Sequence, residues 1–254
     1  MCLQFILIAV YIDTGLEHPL VRKFALAISN VIVLRPKMSF KQVIETYGYP
    51  VVSKSQASTI YKLRNHNLTP AYRNKLLHGD ELGDAGRLAK KWHKLLDAPF
   101  AVSDHCCWVV KKQPLFDYEK RTGSKPFVGT LAVESGRRTM RYLESGCNSF
   151  DRKEATSTPL GFWTEQDVLE YLRRFKVQYS KAYGEIVAVD GKLTTTKEKR
   201  TGCLYCAFGV HLEKGENRFQ RLAKEFPPLH KYCMEKLGMD IVLNYLNVNF
   251  LPVA

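Results

Sequence analysis

The chain has 254 residues, of which 45% are hydrophobic and 25% charged, and this composition excludes a disordered or low-complexity protein. Lys and Arg outnumber Asp and Glu by 38 to 25, which gives a formal net charge of +13. Such a balance favours anionic ligands such as nucleotides, sulfate esters or nucleic acid, although a basic surface kept for solubility would give the same count.

Residues 5–12 form an apolar run close to the start of the chain. The run is too short to span a bilayer, no basic segment precedes it and no small-residue cleavage site follows it. We therefore expect a soluble, cytoplasmic protein that has no membrane partner.

The first part of the chain alternates strand and helix patterns. Residues 5–12 are apolar, with β-branched and aromatic members, up to the loop Asp13-Thr14-Gly15, and they predict a parallel strand buried on both faces. Pro19 begins a predicted helix that ends near Ser29, and residues 31–34 predict a second strand. This order indicates a βαβ crossover. We therefore predict an α/β fold with a doubly wound, mainly parallel sheet.

The next helix has clear signals at both ends. Ser39 and Gln42 predict a capping box at its start, and Gly48 predicts its end. Residues 53–94, by contrast, are polar, basic and weakly periodic. We expect only short helices and a mobile excursion in that segment.

Later elements are predicted mainly from cap residues. Pro114 predicts the start of a helix that Gly123 closes, and residues 126–131 predict a strand. Thr164 and Asp167 predict a capping box ahead of an amphipathic helix.

The last third of the chain combines a hairpin with helices. Residues 185–189 and 192–196 predict a β-hairpin whose two-residue turn is Asp190-Gly191. Two helices are predicted to begin near Asn217 and Leu229.

The character of the sequence changes near residue 151, and we expect two parts. Residues 1–150 would form an α/β core, which the family resemblance described below implies to be of the nucleotide-binding type and truncated at its N-terminus. Residues 151–254 would form a C-terminal helical and hairpin part that completes the cysteine site described next.

Four of the seven cysteines form two tight groups, Cys106-Cys107 and Cys203-x-x-Cys206. This clustering suits thiolate ligation in a reducing compartment better than a disulfide scaffold. The other cysteines, Cys2, Cys147 and Cys233, stand alone, and we expect them to be ordinary buried or surface residues.

A set of four thiolates points to zinc or to an iron–sulfur cluster. The Cys203 and Cys206 side chains can converge from a tight turn that Gly202 permits, which suits either metal. The side chains of adjacent Cys106 and Cys107 diverge on any regular backbone, and a cubane offers them a wider perimeter than one zinc ion does. We therefore favour a 4Fe–4S cluster, with zinc as the alternative. Buried cysteines without a metal would be the plain structural interpretation.

Basic residues flank both cysteine groups. They would offset the thiolate charge and tune the potential of a cluster, or they are solvated surface charges. These residues are Lys111, Lys112, Lys199 and Arg200.

An adjacent cysteine pair, a long interval and then Cys-x-x-Cys is similar to the cluster motif of assimilatory adenylylsulfate reductases. Other stretches agree with that family in order along the chain. They are Ile12-Asp13-Thr14-Gly15 with Pro19, Gly129 with Glu134-Ser135 and Arg138, and Pro159-Leu160 with Trp163-Thr164, Asp167-Val168 and Tyr171. Over most of its length the chain thus resembles the phosphoadenosine phosphosulfate reductase family.

The resemblance implies a PP-loop ATP-pyrophosphatase fold, of the adenine nucleotide alpha-hydrolase type, that binds a sulfonucleotide and releases sulfite after a thiol attacks the sulfur. It implies an adenine sulfonucleotide or ATP as ligand and a thioredoxin-like reductant as partner, and it is compatible with an oligomer.

The same resemblance implies the substrate-binding residues. Asp13, Thr14 and Gly15 would lie near the nucleotide, and Glu134 and Ser135 would face the substrate. The guanidinium groups that would pair with phosphate or sulfate oxygens, unless they are simply exposed, are those of Arg137 and Arg138.

The chain departs from the family in two motifs. The Ser-Gly-Gly-Lys-Asp-Ser loop that would cradle phosphate is missing, as is the Glu-Cys-Gly-Leu-His tail with its nucleophilic cysteine. We therefore expect weak nucleotide binding by the chain as it stands. Two alternatives remain open: an adenylating sulfur-transfer protein that acts on DNA or tRNA, and a non-catalytic, cluster-bearing remnant or partner subunit.

Overall fold

The computed structural model describes residues 7–81, 83–84, 86–150 and 155–252, and it has a mixed α/β fold with short strands. The strands are β1 (Ala9–Ile12), β2 (Val31–Leu34), β3 (Val51–Val52), β4 (Asn148–Ser149), β5 (Thr156–Ser157), β6 (Ile186–Val189), β7 (Lys192–Thr195) and β8 (Ala207–Phe208). The α-helices are α1 (Pro19–Leu26), α2 (Phe40–Tyr47), α3 (Lys54–Asn65), α4 (Pro70–His78), α5 (Gln113–Thr122), α6 (Gly136–Ser145), α7 (Glu165–Arg174), α8 (Arg218–Glu225), α9 (Pro227–Lys231) and α10 (Met239–Tyr245).

Two compact units make up the chain, and each is discontinuous in sequence. Unit 1 comprises Met1–Glu17, Ile32–Pro114 and Gly202–Ala254. Unit 2 comprises His18–Val31 and Leu115–Thr201. The boundary at residue 150 that the sequence suggested stays a prediction.

The hydrophobic core of unit 1 gathers side chains from α2, α3, α8, α10 and the β3–β8 pair. Strands β3 and β8 are parallel, with Val51 opposite Ala207 and Val52 opposite Phe208. Helix α2 has the predicted capping box, in which the Ser39 hydroxyl accepts from the amide of Gln42. Because its apolar residues share one face, α2 buries that face in the core.

The segment of residues 53–94 is more regular than the sequence suggested. Helix α3 alone has 12 residues, so the expectation of only short helices is wrong. Its buried face includes Ala57 and Thr59, whose small or polar side chains hide the helical periodicity. Ile60 and Leu88 from this segment are fully buried in the core.

The first strand is shorter and more exposed than expected. Strand β1 begins at Ala9, and among the strands of the described residues it pairs with β2 alone. Leu7 and Ile8 precede it as exposed residues outside any strand, and residues 5 and 6 lie outside the described part of the chain. Burial on both faces is therefore a wrong expectation for Ala9–Ile12. Each sheet among the described residues has two strands. Together with the helices, these short sheets give a mixed α/β class.

The helix that includes Pro114 begins before that residue, where the proline predicted its start. The backbone is helical from Cys106, passes through a π-helical segment at Trp108–Lys112 and continues as α5. In the π-turn the amide of Gln113 donates to the carbonyl of Trp108. Since proline has no amide hydrogen and crowds the preceding turn, this wider turn lets Pro114 lie inside the helix.

Unit 2 contains the predicted hairpin and the predicted α7. Strands β6 and β7 are antiparallel, and Asp190 and Gly191 both have positive φ, as a type I′ turn requires. The capping box of Thr164 and Asp167 is present at the start of α7. The predicted strand at residues 126–131 is wrong, because that segment makes only an isolated bridge between Phe127 and Ser157.

The last regular elements of the described chain are helices of unit 1. Helix α8 begins next to Asn217, as predicted, and Asn217 caps it, with Gln220 completing a capping box. The following helix begins at Pro227 rather than near Leu229, and α10 follows as a further helix. Within the described ranges, no helix is long and apolar enough to cross a membrane.

Candidate metal centre

Cys106 and Cys107 lie in the first turn of the helix that leads into α5. The carbonyl of His105 accepts the amides of Trp108 and Val109 at 2.9 and 3.0 Å, which fixes the start of that turn. Successive helical residues point about 100° apart, so the two sulfurs leave the helix in different directions. Cys106 is buried in the core of unit 1, and Cys107 is half-buried.

The second cysteine group occupies a tight turn that leads directly into β8. The amide of Cys206 donates to the carbonyl of Cys203 at 3.2 Å, and both side chains are half-buried. The amide of Phe208 donates to the sulfur of Cys206. Because β8 pairs with the buried strand β3, the end of this turn is anchored to the core of unit 1.

The structure brings the two cysteine groups within electrostatic range of each other. Burial raises the pKa of the Cys106 thiol, and the charges of Cys107, Cys203 and Cys206 raise it further. Burial likewise raises the pKa of Cys206 to about 11, with a contribution from the charge of Cys107. Without a bound cation, these thiols therefore favour the protonated form, and a metal would have to displace their protons.

The four thiols do not converge on one point. In residues 7–81, 83–84, 86–150 and 155–252, which include all four, no three His, Cys, Asp or Glu side chains are grouped so that they could hold one metal ion. The donor set is nevertheless four thiols from two neighbouring segments of one unit. Four thiols are a donor set that both zinc and iron–sulfur clusters accept, so the residues present fit either group.

Lys111 supplies positive charge to the cysteine groups. Burial alone would lower the pKa of Lys111, but the charge of Cys203 and a hydrogen bond to its side chain outweigh burial, and the net pKa is raised. Glu17 and Cys107 act in the same direction. The ammonium group therefore stays charged beside the thiols. The neighbouring Lys112 is exposed.

The predicted nucleotide loop lies against the second cysteine group. The amide of Leu204 donates to the carbonyl of Leu16 at 2.8 Å. In the same loop the hydroxyl of Thr14 donates to the carboxylate of Glu17 at 2.6 Å. Asp13 and Thr14 are buried, whereas Gly15 is exposed and has a φ of 72°. Three of the predicted substrate residues are thus placed next to the predicted metal ligands.

The other predicted substrate residues belong to unit 2 and serve local structure there. Ser135 caps α6 by accepting the amide of Arg138, and Arg138 forms an ion pair with Glu134. Arg137 is exposed in the first turn of α6.

The two isolated cysteines that the structure describes, Cys147 and Cys233, do not join the centre. Cys233 is fully buried in the core of unit 1, where burial and then the charge of Asp240 raise its pKa. Cys147 lies in unit 2 and interacts with Tyr142, and Cys2 lies outside the described residues.

Sequence reasoning missed Glu17, Glu213 and Arg218. Glu17 had a signal, because Thr14-x-x-Glu17 is a capping-box pattern ahead of a helix. Arg218 donates to the carbonyl of Cys206 and pairs with Glu213. No local sequence pattern predicts these contacts.

Comparison with protein-family models and with curated proteins gives no match for this chain.

Proposed function

We propose that this chain is an iron–sulfur protein of the phosphoadenosine phosphosulfate reductase type. Cys106, Cys107, Cys203 and Cys206 would hold a 4Fe–4S cluster, and the adjoining loop would bind an adenine sulfonucleotide. A doubly wound, mainly parallel sheet is part of the proposal, as is a thiol-dependent reduction in which a thiol attacks the sulfur and sulfite is released.

One observation carries the proposal: cysteine groups from distant parts of the sequence meet in one compact unit, next to a half-buried lysine and the predicted nucleotide loop. Four thiolates carry a large negative charge, and Lys111 would offset part of it. The Leu204–Leu16 hydrogen bond joins the cysteine turn to the loop. The charge of an anion bound near Lys111 would therefore change the electronic properties of a cluster. The charge of the cluster would in turn change the affinity for the anion.

The test is spectroscopic and uses the reconstituted chain reduced with dithionite. Adenosine 5′-phosphosulfate at millimolar concentration, chosen because we expect weak binding, should change the electron paramagnetic resonance spectrum of the cluster. Adenosine 5′-monophosphate, which lacks the sulfate, serves as the control ligand. Identical spectra with the sulfonucleotide, with the control and with neither would contradict the proposed substrate site.

The net charge of +13 favours a second candidate, a sulfur-transfer protein that binds nucleic acid. That function predicts binding of tRNA or DNA that weakens steeply as salt is raised, because basic residues release counterions from phosphates. A sulfonucleotide reductase predicts no such dependence. Mobility-shift titrations at two salt concentrations separate the two functions.

A further inference from the structure

A single guanidinium group lies against both ends of the Cys203–Cys206 turn. Nη1 of Arg218 donates to the carbonyl oxygen of Cys206 at 3.0 Å. At the other end of the turn, a Cβ atom added to Gly202 would lie 4.0 Å from the same nitrogen. Arg218 therefore contacts the backbone on which two of the proposed ligands stand.

Glu213 holds this guanidinium in place. Its carboxylate accepts from Nε of Arg218 at 2.6 Å and from the backbone amide of Arg218 at 2.8 Å. Nη2 of Arg218 also lies 2.5 Å from Oε1 of Glu213. A planar guanidinium held along its Nε–Nη2 edge has little rotational freedom, so Nη1 is aimed at the turn.

The helix that carries Arg218 is itself fixed in the core. Asn217 caps α8 and donates from its side chain to the carbonyl of Asn249 at 2.5 Å. Gln220 completes the capping box, and both side chains are buried. Phe219, next to Arg218, is fully buried in the core. The guanidinium is thus held from a rigid element, as the support of a precise metal site requires.

We propose that Arg218, held by Glu213, is a positioning residue that sets the geometry of the Cys203–Cys206 turn for metal binding. Its action on a cluster rests on the function proposed above, whereas its action on the turn does not. A lysine would keep the charge but lacks the planar fork, and it cannot engage Glu213 and the Cys206 carbonyl together.

The first measurement is the release of iron from the reconstituted protein to a ferrous chelator. Arg218→Lys should release iron about tenfold faster than wild type, which is the usual effect of losing a residue that supports a metal ligand. Arg221→Lys is the matched control, because Arg221 lies on the same helix and 3.7 Å from Glu213 but bonds to the carbonyl of Glu216 instead of the cysteine turn. Equal rates in the two variants would overturn the proposal.

The second measurement uses the metal-free protein and is independent of the cluster. Maleimide labelling, resolved by peptide mass spectrometry, gives separate rates for Cys206 and for the core residue Cys233. Arg218→Lys should raise the ratio of the Cys206 rate to the Cys233 rate, because the turn loosens while the core stays closed. A general loss of stability would raise both rates. An unchanged ratio would overturn the proposal, even if wild type were found to bind no iron.

Glu213→Gln provides a second route if Arg218→Lys does not fold. The amide keeps the shape of Glu213 but loses the charge-assisted bonds that orient the guanidinium. The labelling ratio should rise in this variant too, and a wild-type ratio in folded Glu213→Gln would contradict the role of the pair.

Discussion

Lys111 lies beside Cys203, whose charge and hydrogen bonding raise the pKa of the lysine, and both residues lie in unit 1 with Glu17. Burial alone would lower the pKa of Lys111, but the interactions with Cys203, Glu17 and Cys107 outweigh burial, so the pKa is raised and the ammonium group stays charged. A half-buried ammonium group next to cysteine sulfurs is the arrangement that would balance the negative charge of a thiolate-bound metal.

Replacing Lys111 by glutamine should lower the reduction potential of the cluster by an amount on the order of tens of millivolts, because the more negative reduced state loses a nearby cation. Lys112→Gln is the matched control, since Lys112 is adjacent and exposed. Redox titration followed by electron paramagnetic resonance measures both. Equal shifts in the two variants would show that the contact between Lys111 and Cys203 does not affect the reduction potential.

Replacing Cys106 or Cys203 by serine should abolish iron binding after anaerobic reconstitution, because a neutral hydroxyl is a poor ligand for a cluster. Cys233→Ala is the control: it removes a buried sulfur from the same core without touching the proposed ligands. Iron analysis of the purified proteins provides the measurement. Loss of iron in Cys233→Ala, with its fold retained, would overturn the ligand set.

Replacing Gly48 by alanine should destabilise unit 1 by about 3 kcal/mol. Gly48 has a φ of 105°, and an added Cβ would collide with the backbone of Ala101. Gly123→Ala is the control, because Gly123 also has positive φ but open space around its Cβ position, and it should cost about 1 kcal/mol. Urea denaturation of the metal-free proteins compares them, and equal costs would contradict the close approach.

Replacing Ser39 by alanine should cost about 1 kcal/mol of unfolding free energy, because the first turn of α2 loses its side-chain cap. Ser55→Ala, an exposed position within α3, should cost much less. Circular dichroism melting of both variants checks this difference. A Ser39 variant as stable as the Ser55 variant would show that the cap contributes nothing.

Elements with local signals could be predicted from sequence. The capping boxes of α2 and α7 and the hairpin turn at Asp190 and Gly191 all rest on contacts within a few residues. Neighbours along the chain determine such geometry, so tertiary packing does not change it.

Other elements depend on tertiary packing and were missed for that reason. Helix α3 buries Ala57 and Thr59, where a sequence pattern expects larger apolar residues. The helix from Cys106 runs through Pro114 because a π-turn relieves the proline.

The candidate site could be predicted in part. The cysteine spacing grouped Cys106-Cys107 with Cys203-x-x-Cys206 as candidate ligands, and their joint ligation of a metal stays a prediction. The structure places the two groups in unit 1, within electrostatic range of each other. The support from Arg218 and Glu213 could not be predicted, because those side chains meet the turn only after α8 has packed into the core.

The metal content of the chain tests the central claim most directly. After anaerobic purification and reconstitution with iron and sulfide, the protein should hold about four irons and an equal amount of acid-labile sulfide per chain, with broad visible absorption that dithionite bleaches. Stoichiometric zinc without iron, in protein reconstituted in the presence of both metals, would contradict the cluster.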